Sequence, residues 1–191
     1  MDISLRLDVN VFDAKNIIKW LDNEDVTKYL NEDINSKISL IDIINSNRAD
    51  LLTCYLNKDG RFFLIDDRKN HSIGFLTLFT VRTKKEYEVV IAIGNPNNWG
   101  KQYAHRALKQ IMREIFFSWR IDKLLARIHI DNHRSINLFK HLGFKQSLIK
   151  NNHIHFEINF NEYLNSFSDD NIHVDLNRYL LNKKLDNIRK K

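Results

Sequence analysis

The middle of the sequence holds a strand–helix–strand succession that leaves few choices for the fold. The segment EYEVVIAIG at 86–94 is apolar on both faces along its second half, which predicts a central, buried strand. Residues 103–119 follow with apolar side chains at helical spacing, and KLLARIHI at 123–130 predicts the next strand. A helix between two such strands is the usual parallel crossover. We therefore expect one crossover unit at the centre of the chain.

Shorter elements surround this unit. Further strands are predicted at 3–9, 61–67, 72–81, 145–150 and 153–160. Further helices are predicted at 11–23, 36–52, 131–144 and 174–189. Short polar turns between successive strands favour antiparallel pairing. The expected fold class is α/β of the α+β type, with a mixed, mostly antiparallel central sheet flanked by helices.

Composition narrows the class of protein. The 191 residues are 43% hydrophobic, which suits one globular domain with a small appendage. The single cysteine, Cys54, cannot form an intrachain disulfide, and the N-terminus lacks a signal-peptide pattern, so a cytoplasmic location is expected. No apolar run long enough for a membrane span is present. The net charge is +6, but residues 177–191 carry much of the excess, which disfavours a general nucleic-acid binder.

The loop after the central strand has the composition of an anion site. Asn97, Asn98 and Gly100 lead straight into the predicted helix, whose first N–H groups lie at the positive end of the helix dipole. Gly100 lets a ligand approach the backbone, and Lys101 adds a positive charge. Such a helix start suits a phosphate group. Because a glycine before a helix is also an ordinary turn, the loop alone leaves both interpretations open.

Two motifs in order resemble a known family. The segments EVVIAIGNPNNWGKQYAHRAL at 88–108 and NHRSINLFKHLGF at 132–144 are similar to motifs of the GNAT superfamily of acyl-CoA-dependent N-acyltransferases. The first of them, together with IIKWLDNEDVTKYL at 17–30, resembles the branch of ribosomal-protein N-terminal and polyamine acetyltransferases. The resemblance implies a GNAT domain over 1–160 with acetyl-CoA as co-substrate. Residues 161–191 are then a C-terminal helical extension.

The resemblance also implies the cofactor-binding residues. Gly100 matches the family's pyrophosphate loop, whereas Gln102 stands where a small residue is usual. The backbone of Ile91 and Ile93 is expected to hydrogen-bond the pantetheine arm, and Asn132 is expected to contact the cofactor near its thiol or to cap its own helix. The complete expected set is Ile91, Ile93, Trp99, Gly100, Lys101, Gln102, Tyr103, Ala104, Asn132 and Phe139.

Catalysis in this family is direct attack of an amine on the thioester, held in place by the protein. Glu88 lies on the strand that carries the site and is the candidate base for the amine proton. Many members have a tyrosine at the position of Phe139 that protonates the departing thiolate. Phenylalanine has no proton to donate, so either Ser135, Tyr103 or water fills that role, with Ser135 placed first, or the thiolate leaves unprotonated.

The acceptor is expected to bind between residues 17–36 and the connection that enters the central strand. Trp20, Tyr29 and Glu32 are the candidate acceptor-binding residues. The resemblance leaves three classes of primary amine open: a protein N-terminus, an amino sugar or aminoglycoside, and a polyamine. A homodimer is one of the assemblies it allows, and no membrane partner is expected.

Other interpretations were weighed against the enzyme. A non-catalytic acyl-CoA-binding or nucleic-acid-binding module with a GNAT-like fold is the alternative function, and Gln102 and Phe139 favour it. Cys54 is disfavoured as a nucleophile because a lone cysteine usually packs as a small apolar residue. His153 and His155 share a strand face, but no further ligand follows at metal spacing, so no metal site is predicted.

Overall fold

One sheet organises the chain in this computed structural model, which describes residues 3–30, 35–83 and 85–166. Its strands are β1 (Ser4–Arg6), β2 (Gly60–Asp66), β3 (Ser72–Thr80), β4 (Glu86–Ile93), β5 (Lys123–His129), β6 (Lys145–Lys150) and β7 (His153–Asn159). They lie in the order β1-β2-β3-β4-β5-β7-β6, and only the pair β4–β5 is parallel. The predicted mixed, mostly antiparallel sheet is confirmed.

Helices cover both faces of the sheet. They are α1 (Val11–Leu21), α2 (Glu24–Thr27), α3 (Asn35–Asn45), α4 (Leu52–Leu56), α5 (Tyr103–Phe117), α6 (His133–His141) and α7 (Phe160–Ser166). Helix α5 joins the two parallel strands, as the crossover predicted. It shares one apolar core with α6 and α7, while α1 to α4 form a second core on the opposite face. No helix among the described residues is long and apolar enough to cross a membrane.

The predicted helix over 36–52 is wrong in its length. Helix α3 ends at Asn45, a 3₁₀ turn follows at Ala49–Leu51, and α4 begins at Leu52. Asn47 lies between them with a φ of 55°, in the left-handed region, which interrupts an α-helix. The periodicity of apolar side chains continues across the break because Leu40 of α3 and Leu52 of α4 pack in the same core. Helices α2 and α7 were not predicted, and the helix predicted at 174–189 lies outside the described residues.

The predicted domain boundary at 160 falls at the start of α7. Tyr163 of this helix is buried and stacks on Phe116 of α5, with 4.9 Å between the ring centroids. Gly143, just before β6, has the Ser166 side chain against it. Helix α7 therefore packs on the same core as the crossover helix. The rest of the extension, 167–191, lies outside the described residues.

An ion cluster with two buried carboxylates ties the edge strand β1 to α1. The Nη1 and Nη2 atoms of Arg6 donate to the two carboxylate oxygens of Asp13 at 2.9 and 3.1 Å, and its Nε donates to Asp66 at 2.7 Å. The hydroxyl of Ser72 lies within 3.0 Å of both carboxylates. Asp13 also closes a capping box with Asn10 at the start of α1. The cluster therefore joins three strands to the first helix.

The indole of Trp20 lies close to the backbone of Gly94, directly after β4. A Cβ added there would overlap the indole of Trp20. We expect Gly94→Ala to lower the free energy of unfolding by about 1–3 kcal/mol, because the ring and the strand end must separate. Urea denaturation measures the loss. In the double variant Gly94→Ala/Trp20→Leu, the loss of unfolding free energy should be smaller than the sum of the losses in the two single variants. A loss equal to that sum would contradict the proposed clash.

Candidate active site

The parallel strands β4 and β5 separate after a short paired stretch. Their register runs only from Glu86 with Lys123 to Glu88 with Leu125, although β4 continues to Ile93. On its other side β4 stays paired with β3 along its whole length. A gap therefore opens in the sheet beside the second half of β4. This gap lies at the carboxyl ends of the parallel strands, where α/β proteins commonly bind their ligands.

The backbone of β4 faces this gap at alternate residues. The N–H of Gly94 donates to Ile73 at 2.9 Å, and the carbonyl of Glu86 accepts from Val81 at 3.0 Å. Even-numbered positions therefore bond toward β3, and Ile91 and Ile93 turn their backbone groups toward β5, beyond the point where it pairs. One of these groups is used, since Trp99 Nε1 donates to the Ile93 carbonyl at 2.9 Å. The others are placed to hydrogen-bond an extended ligand.

The start of α5 forms a second wall of the gap. Gly100 has a φ of 77° and Gln102 a φ of 63°, so two residues of the loop lie in the left-handed region. Gln102 is the N-cap, and no side chain bonds the first N–H groups of the helix. A Cβ on Gly100 would meet nothing within 4 Å, so the loop presents open backbone. A helix start with these features is a candidate anion site.

Helix α6 forms the third wall. Asn132 is its N-cap and accepts from the backbone N–H of Ser135 at 3.2 Å. Because its side-chain oxygen holds the helix start, the amide nitrogen is left to point elsewhere. Arg134 reaches from the first turn across to Trp99, and its Cζ lies 3.4 Å from the ring centroid. This contact links α6 to the loop that precedes α5.

Together these walls enclose a cavity of about 550 Å³. Most of the lining is apolar or neutral, and the charged side chains are Asp25 and Arg134. A volume of this size suits a ligand the size of a cofactor. The residues that line it are Asp25, Val26, Tyr29, Leu30, Ile91, Ala92, Ile93, Asn98, Trp99, Gly100, Gln102, Tyr103, Ala104, His105, Asn132, Arg134, Ser135, Asn137, Leu138 and His141.

Glu88 lies at the point where the gap begins. It is the last residue of β4 in register with β5, and its carboxylate is 3.5 Å from the Nε of Arg127. Side chains alternate along the strand, so Glu88 shares the face of Ala92, which packs in the core formed by α1 to α4. Glu88 is not part of the cavity wall. It lies on the sheet face of Ala92 and Val26, which do line the cavity, at the residue where the gap begins.

The structure brings most of the predicted cofactor residues together. Ile91, Ile93, Trp99, Gly100, Gln102, Tyr103, Ala104 and Asn132 line one cavity, as do Ser135 and Tyr29. Lys101 does not line it, and its ammonium donates to Asn98 at 3.2 Å on the surface. Phe139 is buried in the core against Phe144 and does not reach the cavity. Its ring packs in the apolar core with α5 and α6. The helical spacing alone did not show whether Phe139 faces this core or the cavity.

The predicted acceptor residues separate in the structure. Trp20 packs on Phe75 and Gly94 and does not line the cavity, because α1 turns this side chain toward the sheet. Tyr29 lines the cavity and stacks on His129 of β5, with 5.3 Å between the ring centroids. This stack connects the α2 segment to the far side of the gap. Glu32 lies outside the described residues.

Several residues of the cavity were missed in the sequence. Asp25 follows α1 in a short helix that was not predicted, and Arg134, Leu138 and His141 share a face of α6. Helical spacing from Ser135 could have found Leu138.

Burial lowers the pKa of His105 in the first turn of α5, and neighbouring positive charges lower it further. The lowered pKa favours the neutral form of this histidine at pH 7. The described residues hold no cluster of metal-binding side chains.

An open stretch of strand, a helix start without a side-chain cap and a second helix wall together define a ligand site. The family model of the acetyltransferase (GNAT) domain matches residues 6–145. The chain belongs to the GNAT acetyltransferase family. Members of this family take the acetyl group from acetyl-CoA. No curated protein matches the sequence significantly.

Solved structures share the fold. A domain from Methanocaldococcus jannaschii DSM 2661 matches with a TM-score of 0.65 and 21% identity over 83% of this chain and 99% of its own. A spermidine N-acetyltransferase from Vibrio cholerae, solved with CoA and spermine, has a TM-score of 0.66 and 20% identity over 85% and 98%. The Campylobacter jejuni N-acetyltransferase PseH has a TM-score of 0.59 and 17% identity over 83% and 97%.

The residues present fit acetyl-CoA. Gly100 offers backbone with open space where a Cβ would stand, and two residues in the left-handed region turn the loop at the helix start. The edge of β4 offers the amide groups that a pantetheine arm requires. The family supports an acyl-CoA-dependent N-acetyltransferase, and the solved structures share its fold.

Proposed function

We propose that this protein transfers an acetyl group from acetyl-CoA to a primary amine by direct attack. The observation that carries the proposal is the gap between β4 and β5, which places free strand backbone beside the start of α5. The N–H groups of Gln102, Tyr103 and Ala104 hold the pyrophosphate. Ile91 and Ile93 bond the pantetheine arm through their backbone, and Asn132 contacts it from α6.

Acetyl-CoA supplies an activated thioester when bound. The protein contributes position and proton transfer. Backbone N–H groups of β4 turned toward the gap stabilise negative charge on the carbonyl oxygen. Glu88 takes the proton from the amine at the mouth of the gap, and Arg127 holds its carboxylate in place. Ser135 on the cavity wall is the candidate donor to the departing thiolate, since Phe139 has no hydroxyl and lies in the core.

The acceptor is a small-molecule or peptide amine that approaches on the face of Glu88 and Tyr29. The resemblance to the branch of ribosomal-protein N-terminal and polyamine acetyltransferases makes protein N-termini and polyamines the first acceptors to test. The Vibrio cholerae neighbour was solved with spermine, which is a second reason to include polyamines in the screen. Amino sugars complete it. A cytoplasmic location and a homodimer remain part of the proposal.

Two measurements test the proposal in sequence. Calorimetric titration with acetyl-CoA should show binding to one site per chain. A screen of spermidine, aminoglycosides and N-terminal peptides by thiol release should then identify the acceptor. Binding without turnover on any amine would favour the alternative of a non-catalytic acyl-CoA-binding module, for which the missing hydroxyl at Phe139 is the supporting feature. No binding by the folded protein would refute both interpretations.

Gly100 provides a variant that separates the cofactor site from the fold. Gly100→Trp places a bulky side chain in the open loop and adds about 1–2 kcal/mol of left-handed strain, so acetyl-CoA affinity should fall roughly tenfold or more. Gly100→Asn is the matched control, because asparagine tolerates positive φ and is small. Calorimetry on both variants gives the ratio. Equal affinity of Gly100→Trp and the wild type would place the phosphates elsewhere.

A further inference from the structure

We propose that Arg134 recognises a phosphate group of the acyl-CoA, an inference that rests on the proposed function. Arg134 lies in the first turn of α6 and lines the cavity. Its guanidinium lies over the ring of Trp99, with the Cζ 3.4 Å from the ring centroid. A stacked guanidinium keeps its N–H groups in the plane of the fork, free to bond a phosphate from the edge.

Trp99 fixes the position of this guanidinium. Its Nε1 donates to the Ile93 carbonyl at 2.9 Å, so the indole is anchored to the end of β4. The ring is therefore held by the strand that borders the gap, and Arg134 is held by the ring. A planar cation on an aromatic face loses little further freedom when a ligand binds. The arrangement presents a preformed cation on the wall of the cavity.

Arg134 is the cation that an anionic ligand would meet on the described cavity lining. Among the described lining residues, Arg134 is the only lysine or arginine and Asp25 the only carboxylate. None of the ion pairs in the described part of the chain includes Arg134. Partial burial lowers the pKa of its guanidinium, and the charge of Asp25 opposes that shift. A partly desolvated cation without a bonded carboxylate is satisfied by an anionic ligand.

The start of α5 offers a second anion site on the same cavity. Its N–H groups are uncapped, and Gln102, Tyr103 and Ala104 line the same space as Arg134. Coenzyme A carries a pyrophosphate and a 3′-phosphate, so one ligand can occupy both sites. Lys101 is the nearest alternative cation in sequence, but it lies on the surface and bonds Asn98. Arg134 is therefore the side chain that complements the helix start.

Calorimetry with CoA and 3′-dephospho-CoA tests the role of Arg134. We expect Arg134→Met to weaken binding of CoA about tenfold, the worth of one charge-assisted hydrogen bond. With 3′-dephospho-CoA, an undiminished loss assigns Arg134 to the pyrophosphate, and no loss assigns it to the 3′-phosphate. Either result supports phosphate recognition. Lys140→Met, which removes a positive charge from the same helix outside the cavity, should leave all affinities unchanged.

Acetyl-pantetheine, which has no phosphate, separates recognition from shaping of the cavity. Its binding, followed by NMR titration, should be equal in the wild type and in Arg134→Met. An equal weakening of acetyl-pantetheine and CoA would overturn the proposal, because Arg134 would then act only by holding Trp99. Unchanged CoA affinity in the variant would overturn it as well. Failure of the wild type to bind any of the ligands would instead refute the proposed function.

Discussion

Arg6→Ala is expected to lower the free energy of unfolding by about 3–5 kcal/mol, the typical cost of removing one partner from a buried ion cluster. The carboxylates of Asp13 and Asp66 are almost fully buried, with side-chain exposures of 3% and 4%. Without the guanidinium, both negative charges face each other through Ser72 alone. Chemical denaturation at pH 7 measures the change.

The conservative variant tests whether geometry or charge carries this stability. Arg6→Lys retains the positive charge but loses the fork that bonds Asp13 with two nitrogens and Asp66 with a third. The free energy of unfolding of Arg6→Lys should lie between those of the wild type and Arg6→Ala. A loss in Arg6→Ala no larger than that of an exposed ion pair, up to about 1 kcal/mol, would show that the cluster is not a buried one.

The cluster also predicts how stability depends on pH. Burial raises the pKa of Asp13, but the hydrogen bonds from Arg6, Asn10 and Ser72 outweigh it, so the net pKa is below the ordinary value of 3.8. A lowered folded-state pKa gives stability that is complete above the unfolded pKa and is lost as pH falls through the folded one. In Arg6→Ala the main lowering contacts are gone. The difference between wild type and variant should therefore shrink below pH 4, and a constant difference would contradict this origin.

The sequence contained the elements of the site but not their arrangement. Local patterns were enough for the crossover, because apolar periodicity in β4 and α5 reports directly on burial. They were also enough to point to Gly100 and Asn132, which precede helix starts. The opening between β4 and β5 is a property of pairing between strands separated by a whole helix. No local pattern reports where such pairing stops.

Contacts between side chains that are distant in the sequence could not be predicted either. Arg134 and Trp99 meet only because α6 returns beside the loop before α5, and Arg6 meets Asp66 across 60 residues. Trp20 is a residue type that is common in binding sites, yet it packs on Gly94. This tertiary contact cannot be predicted from the sequence around either residue. Aromatic and arginine residues suit both core and site. Their spacing cannot distinguish these roles when the elements have not been placed.

Glu88→Gln is expected to lower kcat roughly 100-fold with the acceptor that the amine screen identifies, the lower range for loss of a general base. The substitution keeps the size of the side chain and removes only its capacity to take a proton. Because Glu88 does not line the cavity, the affinity for acetyl-CoA should not change. Initial rates at saturating acetyl-CoA, together with calorimetry, separate the two quantities.

Glu86→Gln is the matched control for this variant. Glu86 lies two positions earlier on β4 and on the same face, at the end of the paired stretch farther from the gap, where it is in register with Lys123 of β5. It therefore shares the charge and the strand of Glu88 without reaching the gap, and its kcat should match that of the wild type. A base also imposes a pH dependence, so the Glu88→Gln rate should rise with pH as free amine becomes available in solution. An unchanged kcat in Glu88→Gln, or an equal decrease in both variants, would assign the proton to water and leave Glu88 as the partner of Arg127 alone.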